Sequence, residues 1–212
     1  MFVGHYGPAA AVAGKRIKLW HGFVAVQLLD ILWAPFVLVG IEHVRIVENF
    51  TASNSFDLYH MPYTHSLVMA LVWSLVAGLA YNAWRKDGGV IIGALVFSHW
   101  IFDFITHKPD LELWFGGPKV GLGLWDYRTV AISVELGLLL AGFMILLRET
   151  KAKGAGGVIA LLVLLVALAA AQLYGNFGPP PGSAGAAAQS AIIAYGVFAG
   201  LAFWVDATRT AK

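Results

Sequence analysis

The chain has 212 residues, of which 59% are hydrophobic and only 12% are charged, whereas soluble domains usually carry about 25% charged residues. One small soluble core cannot hide so much apolar surface, so the composition argues against a soluble globular domain. The formal net charge of +2 gives no indication of a nucleic-acid partner, and the absence of cysteine excludes disulfides and thiolate metal sites.

The first 14 residues are apolar except for His5, and they are too short to span a membrane. They precede the basic residues Lys15, Arg16 and Lys18, which is not the charge order of a signal peptide. Two alternatives remain open for this segment. It forms either a half-helix that enters a helical bundle or a free cytoplasmic tail.

Six stretches of about 20 mostly apolar residues follow, each long enough for a membrane-spanning helix. They are Leu19–Ile41, Pro62–Trp84, Gly88–Thr106, Thr129–Leu147, Gly157–Tyr174 and Ala188–Val205. The sequence therefore predicts an all-α membrane protein with about six transmembrane helices and a possible N-terminal half-helix. Residues 1–150 are expected to carry the functional site, and residues 151–212 to form a two-helix hairpin in the same bundle.

The distribution of lysine and arginine predicts the orientation of these helices. With the N-terminus in the cytoplasm, ten basic residues lie in cytoplasmic segments and only four, Arg45, Lys108, Lys119 and Arg128, lie outside. Both termini are then cytoplasmic, and the two long loops, residues 42–61 and 107–128, face outward. We expect the protein to be located in a bacterial inner membrane.

Ionisable residues within the predicted spans are the main functional signal. Each costs about 2.5–3.5 kcal/mol at membrane depth on insertion scales, so such groups are rarely without a function. They are Asp30, His65, His99, Asp103 and Glu135. Under the predicted topology they lie in the middle or the outer half of the membrane. We expect them to lie close to one another.

The spacing of His99 and Asp103 places both side chains on one face of a helix. Imidazole and carboxylate groups arranged in this way can bind one metal ion, as two histidines do in H-E-x-x-H. Zinc is the first expectation, and iron or manganese would also suit these ligands. A bound ion of this kind makes hydroxide available near neutral pH. Glu135, or Glu42 from the first outer loop, is then the expected general base.

Other polar residues near this stretch are expected to support the ligands or the substrate. His107 and Asp110 complete the segment "FSHWIFDFITHKPD", and His43 follows Glu42. The second outer loop is rich in glycine and aromatic residues, which indicates either an interfacial anchor or a lid. A lid would offer Lys108, Lys119 and Trp125 to the substrate. The last two spans are expected to be structural, as is His21.

Three short motifs, "GHYG" at the start, "THSL" at Thr64–Leu67 and "SHWIFDFITHKPD", resemble the YdjM-like group of bacterial inner-membrane proteins. That group is described as membrane-bound metal-dependent hydrolases. The resemblance covers roughly residues 1–135, and it implies His5, His65, His99 and Asp103 as metal ligands. Asp30 corresponds to an acidic residue of that family, although "QLLDILW" is less polar than the family pattern. Ser66 belongs to the T-H-S step and is expected to support His65.

We therefore expect a metal-dependent hydrolase that acts near the outer face of the membrane on a lipid or a lipid-linked ester or phosphoester. Two alternatives belong to other functional classes. The same residues could handle a metal ion or protons without catalysis, or bind haem. The protein could also be an accessory structural subunit with a vestigial site.

Overall fold

The computed structural model describes residues 1–14 and 16–212. Most of these residues are helical. The helices are α1 Tyr6–Val12, α2 Leu19–Val26, α3 Leu28–Leu38, α4 Leu67–Arg85, α5 Gly89–Thr106, α6 Arg128–Glu149, α7 Ala155–Phe177 and α8 Ala184–Thr208. Five of them, α4 to α8, are long and apolar enough to cross a membrane, and α2 with α3 makes a sixth if the bent pair is one span. This architecture is that of a multi-pass helical membrane protein.

The first predicted span is bent. Helices α2 and α3 meet at an angle of 50°, and Gln27 between them has φ −108° and ψ 8°, outside the helical range. The sequence contains no glycine or proline at this point, and for that reason it predicts one continuous helix. Because α2 ends at Val26, the carbonyl of that residue has no partner within its own helix.

The N-terminal segment is a short buried helix rather than a free tail. A 3-10 turn over Val3–His5 leads into α1, and both pack against α6. The contact is very close, because a Cβ atom on Gly7 would lie 2.4 Å from the carbonyl oxygen of Leu138, and one on Gly142 would lie 2.0 Å from the carbonyl oxygen of Gly7. Small residues of this kind allow helix backbones to approach one another within membranes.

Short antiparallel strands occupy the connections, where an all-α fold predicts irregular loops. The strands are β1 His43–Ile46, β2 Phe56–His60, β3 Leu111–Glu112, β4 Lys119–Val120, β5 Thr150–Ala152 and β6 Arg209–Ala211. They pair as β1–β2, β3–β4 and β5–β6. Following the chain from one helix to the next places β1–β2 and β3–β4 at the same end of the bundle, here called the hairpin end. The hairpin β5–β6 lies at the opposite end.

The two long loops at the hairpin end are joined to each other. Ser53 donates a hydrogen bond to the carbonyl oxygen of Trp125 at 2.8 Å, and Lys108 donates one to the carbonyl oxygen of Phe50, also at 2.8 Å. These side-chain contacts link segments that are far apart in sequence. The hairpin end is therefore an ordered layer above the helices.

The C-terminal helix pair belongs to the same bundle as the rest. Helix α8 packs against both α2 and α3. Its Asp206 accepts hydrogen bonds from the backbone N–H groups of Leu19 and Trp20, at 3.1 and 3.0 Å. This carboxylate satisfies two of the free donors at the start of α2. The pair α7–α8 thus forms one wall of the interior beside α2 and α3.

Candidate metal centre

Five of the predicted ligand residues meet inside the bundle, in the half nearer the hairpin end. They are His5, Asp30, His65, His99 and Asp103. His5 lies in the N-terminal turn, Asp30 in the first turn of α3, and His65 in the loop before α4. His99 and Asp103 lie on two successive turns of α5. The side chain of Asp30 is about one-fifth exposed, and the other four are almost completely buried.

The distances between ligand atoms are short and similar. His99 Nε2 lies 3.0 Å from Asp103 Oδ2 and 3.8 Å from Asp30 Oδ1. His65 Nε2 lies 3.6 Å from Asp103 Oδ2 and 3.3 Å from Asp30 Oδ1. Two ligand atoms that each lie about 2.0–2.1 Å from a tetrahedral ion would be roughly 3.3 Å apart. The observed distances are compatible with side chains that share one ion.

The bend between α2 and α3 orients His99. Its Nδ1 atom lies 2.6 Å from the carbonyl oxygen of Val26, which accepts only, so Nδ1 carries the proton. The lone pair then lies on Nε2, which makes no hydrogen bond with any described residue although Asp103 Oδ2 is 3.0 Å away. Two facing lone pairs at this distance repel each other unless a proton or a cation lies between them.

His65 is held by a chain of two further residues. The Thr64 hydroxyl donates a hydrogen bond to Glu42 Oε2 at 2.6 Å and lies 2.7 Å from His65 Nδ1. Since the hydroxyl proton goes to the carboxylate, Thr64 accepts from His65, and Nδ1 carries the proton. Nε2 is then the free atom, as ligation requires. Metal-binding histidines commonly donate their other N–H to a group of this kind.

His5 completes the cluster from the N-terminal turn. Its Nε2 atom lies 3.2 Å from Asp103 Oδ1, and its ring stacks on that of His99 with a centroid distance of 3.9 Å. Its Nδ1 atom is buried and has no hydrogen-bond partner among the described residues. The backbone nitrogen of Met1 also lies 2.6 Å from Asp103 Oδ1. Asp103 is therefore the residue that most of the cluster contacts.

These donors could hold a metal ion. Two overlapping sets place their ligand atoms within 4.8 Å of one another: His5, His99 and Asp103 form the first, and Asp30, His65 and His99 form the second. Mixed imidazole and carboxylate groups suit zinc, iron and manganese alike. The structural observation that fits such an ion is the Nε2 atom of His99, which has no hydrogen-bond partner among the described residues although Asp103 Oδ2 lies 3.0 Å away.

A cavity of about 870 Å³ extends from the cluster to the hairpin end. Asp30, His65 and Asp103 lie at its base. Its walls include residues of α7 and α8 and the proline-rich connection between them. A volume of this size is ample for a ligand, since most small-molecule sites occupy about 300–1,000 Å³.

Glu135, one of the two expected general bases, also lines this cavity. Its Oε2 atom accepts hydrogen bonds from the backbone N–H groups of Phe2 and Gly4, at 2.8 and 3.2 Å. The carboxylate therefore holds the N-terminal turn in place, and Oε1 accepts no hydrogen bond from a described residue. Glu135 is close to the cavity without being part of the ligand cluster.

Glu42, the other expected base, is fully buried and occupied elsewhere. Its Oε1 atom accepts from the backbone N–H groups of Tyr63 and Thr64, at 2.8 and 2.9 Å, and Oε2 accepts from the Thr64 hydroxyl. It is not among the residues that line the cavity. Glu42 thus contacts the cluster only through Thr64 and His65, which is the geometry of a positioning residue.

His107 and Asp110 lie beside Asp103, just beyond the end of α5. His107 Nε2 is 3.5 Å from Asp103 Oδ1, and its Nδ1 is 2.9 Å from Asp110 Oδ1. Burial disfavours the charged imidazole, but the charges of Asp110 and Asp103 outweigh it and raise the pKa of His107 to about 9. The ring of Trp125 stacks on His107 at 4.3 Å, so Trp125 packs over this group and lines the cavity.

The remaining predicted residues lie farther from the cluster. Ser66 caps α4 by accepting from the N–H of Met69 at 3.3 Å. His43 is exposed on β1 and stacks on His60. Lys108 and Lys119 each donate to a backbone carbonyl, and neither lines the cavity. The structure therefore does not bring these four residues to the ligand atoms.

Several residues at the site are not singled out by the sequence. Tyr195 of α8 donates a hydrogen bond to Asp30 Oδ2 at 2.8 Å. Thr64 and Val26 orient the two histidines, and Gln172 of α7 lines the cavity. The available signal was weak: a glutamine and a tyrosine inside two mostly apolar spans. A backbone carbonyl such as that of Val26 leaves no sequence signal.

No known protein family, curated protein or solved structure matches this chain. The assignment of a function therefore depends on the geometry of the site.

Proposed function

We propose that the protein is a membrane-embedded metal-dependent hydrolase that acts on a lipid or lipid-linked ester near the outer face of a bacterial inner membrane. The observation that carries the proposal is the position of the cluster. Three histidines and two aspartates converge, and three of these residues, Asp30, His65 and Asp103, lie at the base of a cavity that opens toward the hairpin end. The resemblance of three short motifs to YdjM-like proteins stays an expectation from the sequence, because no family model matches the chain.

Each residue has a distinct role in this proposal. His65, His99, Asp30 and Asp103 would hold the ion, with His5 as a further donor. A divalent ion of this kind supplies a nucleophile near neutral pH, because it lowers the pKa of water to about 7. Tyr195 fixes Asp30 through its hydrogen bond. These groups come from several packed segments of the chain, so their positions are set before the substrate binds. Such positioning favours a productive orientation of the reacting groups.

Glu135 is the proposed proton acceptor. Its Oε2 atom is fixed by two backbone N–H groups, which leaves Oε1 for a proton from the cavity. General-base catalysis of this kind typically contributes about 10²–10⁴-fold to the rate. Glu135→Gln should therefore lower the rate within this range and leave the metal content unchanged, since Glu135 is not one of the ligand residues.

Elemental analysis of the purified protein in detergent tests the metal site. We expect about one equivalent of zinc, iron or manganese in the wild type, lost in His99→Ala and in Asp103→Ala. Asp57→Ala is the matched control, because Asp57 lies at the same end but pairs with Arg45 on the surface. Circular dichroism would establish that all variants are folded. A wild-type protein that binds none of these metals after reconstitution would refute the proposal.

Hydrolysis of a fluorogenic lipid ester in nanodiscs tests the reaction. The metal-loaded wild type should release the fluorophore, Asp103→Ala should not, and Glu135→Gln should be slow. If the protein binds metal but Glu135→Gln and the wild type are equally inactive toward esters and phosphoesters, the non-catalytic alternative is favoured.

A further inference from the structure

The wall of the cavity formed by α7 contains polar groups without partners. Gln172 is only 2% exposed, yet its side-chain amide makes no hydrogen bond with a described residue, and its Oε1 atom is completely buried. One turn later, Asn176 donates to the backbone carbonyl of Gln172 at 2.9 Å, which leaves its own Oδ1 atom unpaired. Unpaired buried polar groups are costly, and natural proteins contain few of them.

These groups line the cavity at different depths. Asn176 and Gln172 are near the end of α7, the latter about 8 Å from its last residue at 1.5 Å per residue. On the adjoining helix, Tyr195 lies deeper, about 17 Å from the first residue of α8, where it contacts Asp30. The indole N–H of Trp33, also on the cavity wall, has no partner. We call Trp33, Gln172, Asn176 and Tyr195 the polar row.

The charges around the cavity do not favour an anionic ligand. Four carboxylates line it, those of Asp30, Glu48, Asp103 and Glu135, against three positively charged groups, which are Arg128, His107 and the amino group of Met1. The carboxylates outnumber the positively charged groups, so the metal-free cavity keeps an excess of negative charge. Arg128 also lines it, but its guanidinium donates to the carbonyl of Ala52 and lies over the ring of Phe177. Lys108 and Lys119, which a lid was expected to offer to the substrate, are not part of the wall.

We propose that the cavity binds an uncharged lipid whose polar part carries hydroxyl groups. A change of side-chain rotamer would turn the buried polar atoms of Gln172, Asn176 and Trp33 toward the cavity, where they would hydrogen-bond those hydroxyls, which can both donate and accept. Ala187, Ala191 and Ala194 recur on one face of α8 beside the row and provide an apolar surface for the acyl chain. This inference rests on the proposed function at one point. It places the ester bond of the lipid at the ligand cluster, where the proposed hydrolysis would occur.

The test uses the full-length protein in nanodiscs with its metal removed by a chelator. Binding of 1-octanoylglycerol, octyl glucoside and octyl phosphate would be measured by calorimetry, with empty nanodiscs as the blank. We expect both neutral probes to bind more tightly than octyl phosphate. The tighter of the two assigns the hydroxyls to glycerol or to a sugar, and either result supports the proposal.

Two variants test the polar row directly. Gln172→Leu and Asn176→Leu should each weaken binding of the neutral probes about threefold to tenfold, the effect of one lost hydrogen bond. Gln189→Leu is the control, because Gln189 is an exposed glutamine on the same helix pair, and it should bind as the wild type does. Metal content measured separately in each variant should be unchanged, which distinguishes a lost contact from misfolding.

Two results would overturn the inference: octyl phosphate binding as tightly as the neutral probes, or row variants that bind like the wild type. Because the titration uses metal-free protein, it is independent of catalysis. A chain that binds neutral probes through the row but never binds a metal would refute the proposed function and leave this inference standing.

Discussion

The Thr64 hydroxyl joins Glu42 to His65, and replacing it tests whether this connection sets the metal affinity. Thr64→Val keeps the shape of the side chain but removes the hydrogen bond to Glu42 at 2.6 Å and the contact with His65 Nδ1 at 2.7 Å. At about 1 kcal/mol for each hydrogen bond, the two contacts are worth about 2 kcal/mol together. Because they also form without an ion, this is the upper bound on the lost binding energy, and metal affinity should fall by up to roughly 30-fold, since 1.4 kcal/mol corresponds to a factor of ten.

The affinity would be measured in detergent by competition with a chromophoric chelator. Thr64→Ser keeps the hydroxyl and should bind zinc within about threefold of the wild type, since both hydrogen bonds can re-form. Thr129→Val is the control for the chemical change, because Thr129 is exposed at the start of α6. Equal affinities for Thr64→Val and the wild type, with both proteins folded, would refute the role assigned to Thr64.

Three further substitutions test the packing and the caps. Gly142→Ala should lower the free energy of unfolding by about 1–3 kcal/mol, because the added Cβ would lie 2.0 Å from the carbonyl oxygen of Gly7. Gly137→Ala is the control on the same helix. A Cβ there would have no neighbour within 4 Å, so this variant should melt like the wild type. Ser66→Ala should cost about 1 kcal/mol through loss of the cap of α4, and a metal affinity lowered more than threefold would show a role beyond capping. Arg209→Met should lower the thermal midpoint, since the buried guanidinium donates three hydrogen bonds, without changing the metal content.

The helices were predictable because membrane spans have a strong signature. Apolar length alone locates α4 to α8, with ends that differ from the predicted ones by up to five residues. The pairing of His99 with Asp103 was also predictable, since it depends only on the period of a helix. Their approach to Asp30 and His65 was expected from the cost of isolated charges in a membrane, and the structure places these residues together.

The parts that could not be predicted depend on tertiary contacts. Nothing in "VQLLD" indicates a bend at Gln27. The helix is interrupted there, and the carbonyl oxygen of Val26 contacts His99, a residue far away in sequence. Tyr195 is 165 residues from Asp30 in sequence, and its span has the composition of a lipid-facing helix. The choice between a buried helix and a free tail for α1 likewise depended on Gly142, far along the chain.

The close contact between Gly7 and Gly142 also sets an order for biogenesis. His5 and α1 are translated before the spans described here, but the surface that receives α1 lies on α6, the fourth of those spans in chain order. The segment must therefore wait, without its final partner, until three spans have been inserted and the fourth has arrived. Residues that precede every described span are thus among the last to reach their places, so the ligand cluster is completed late in assembly.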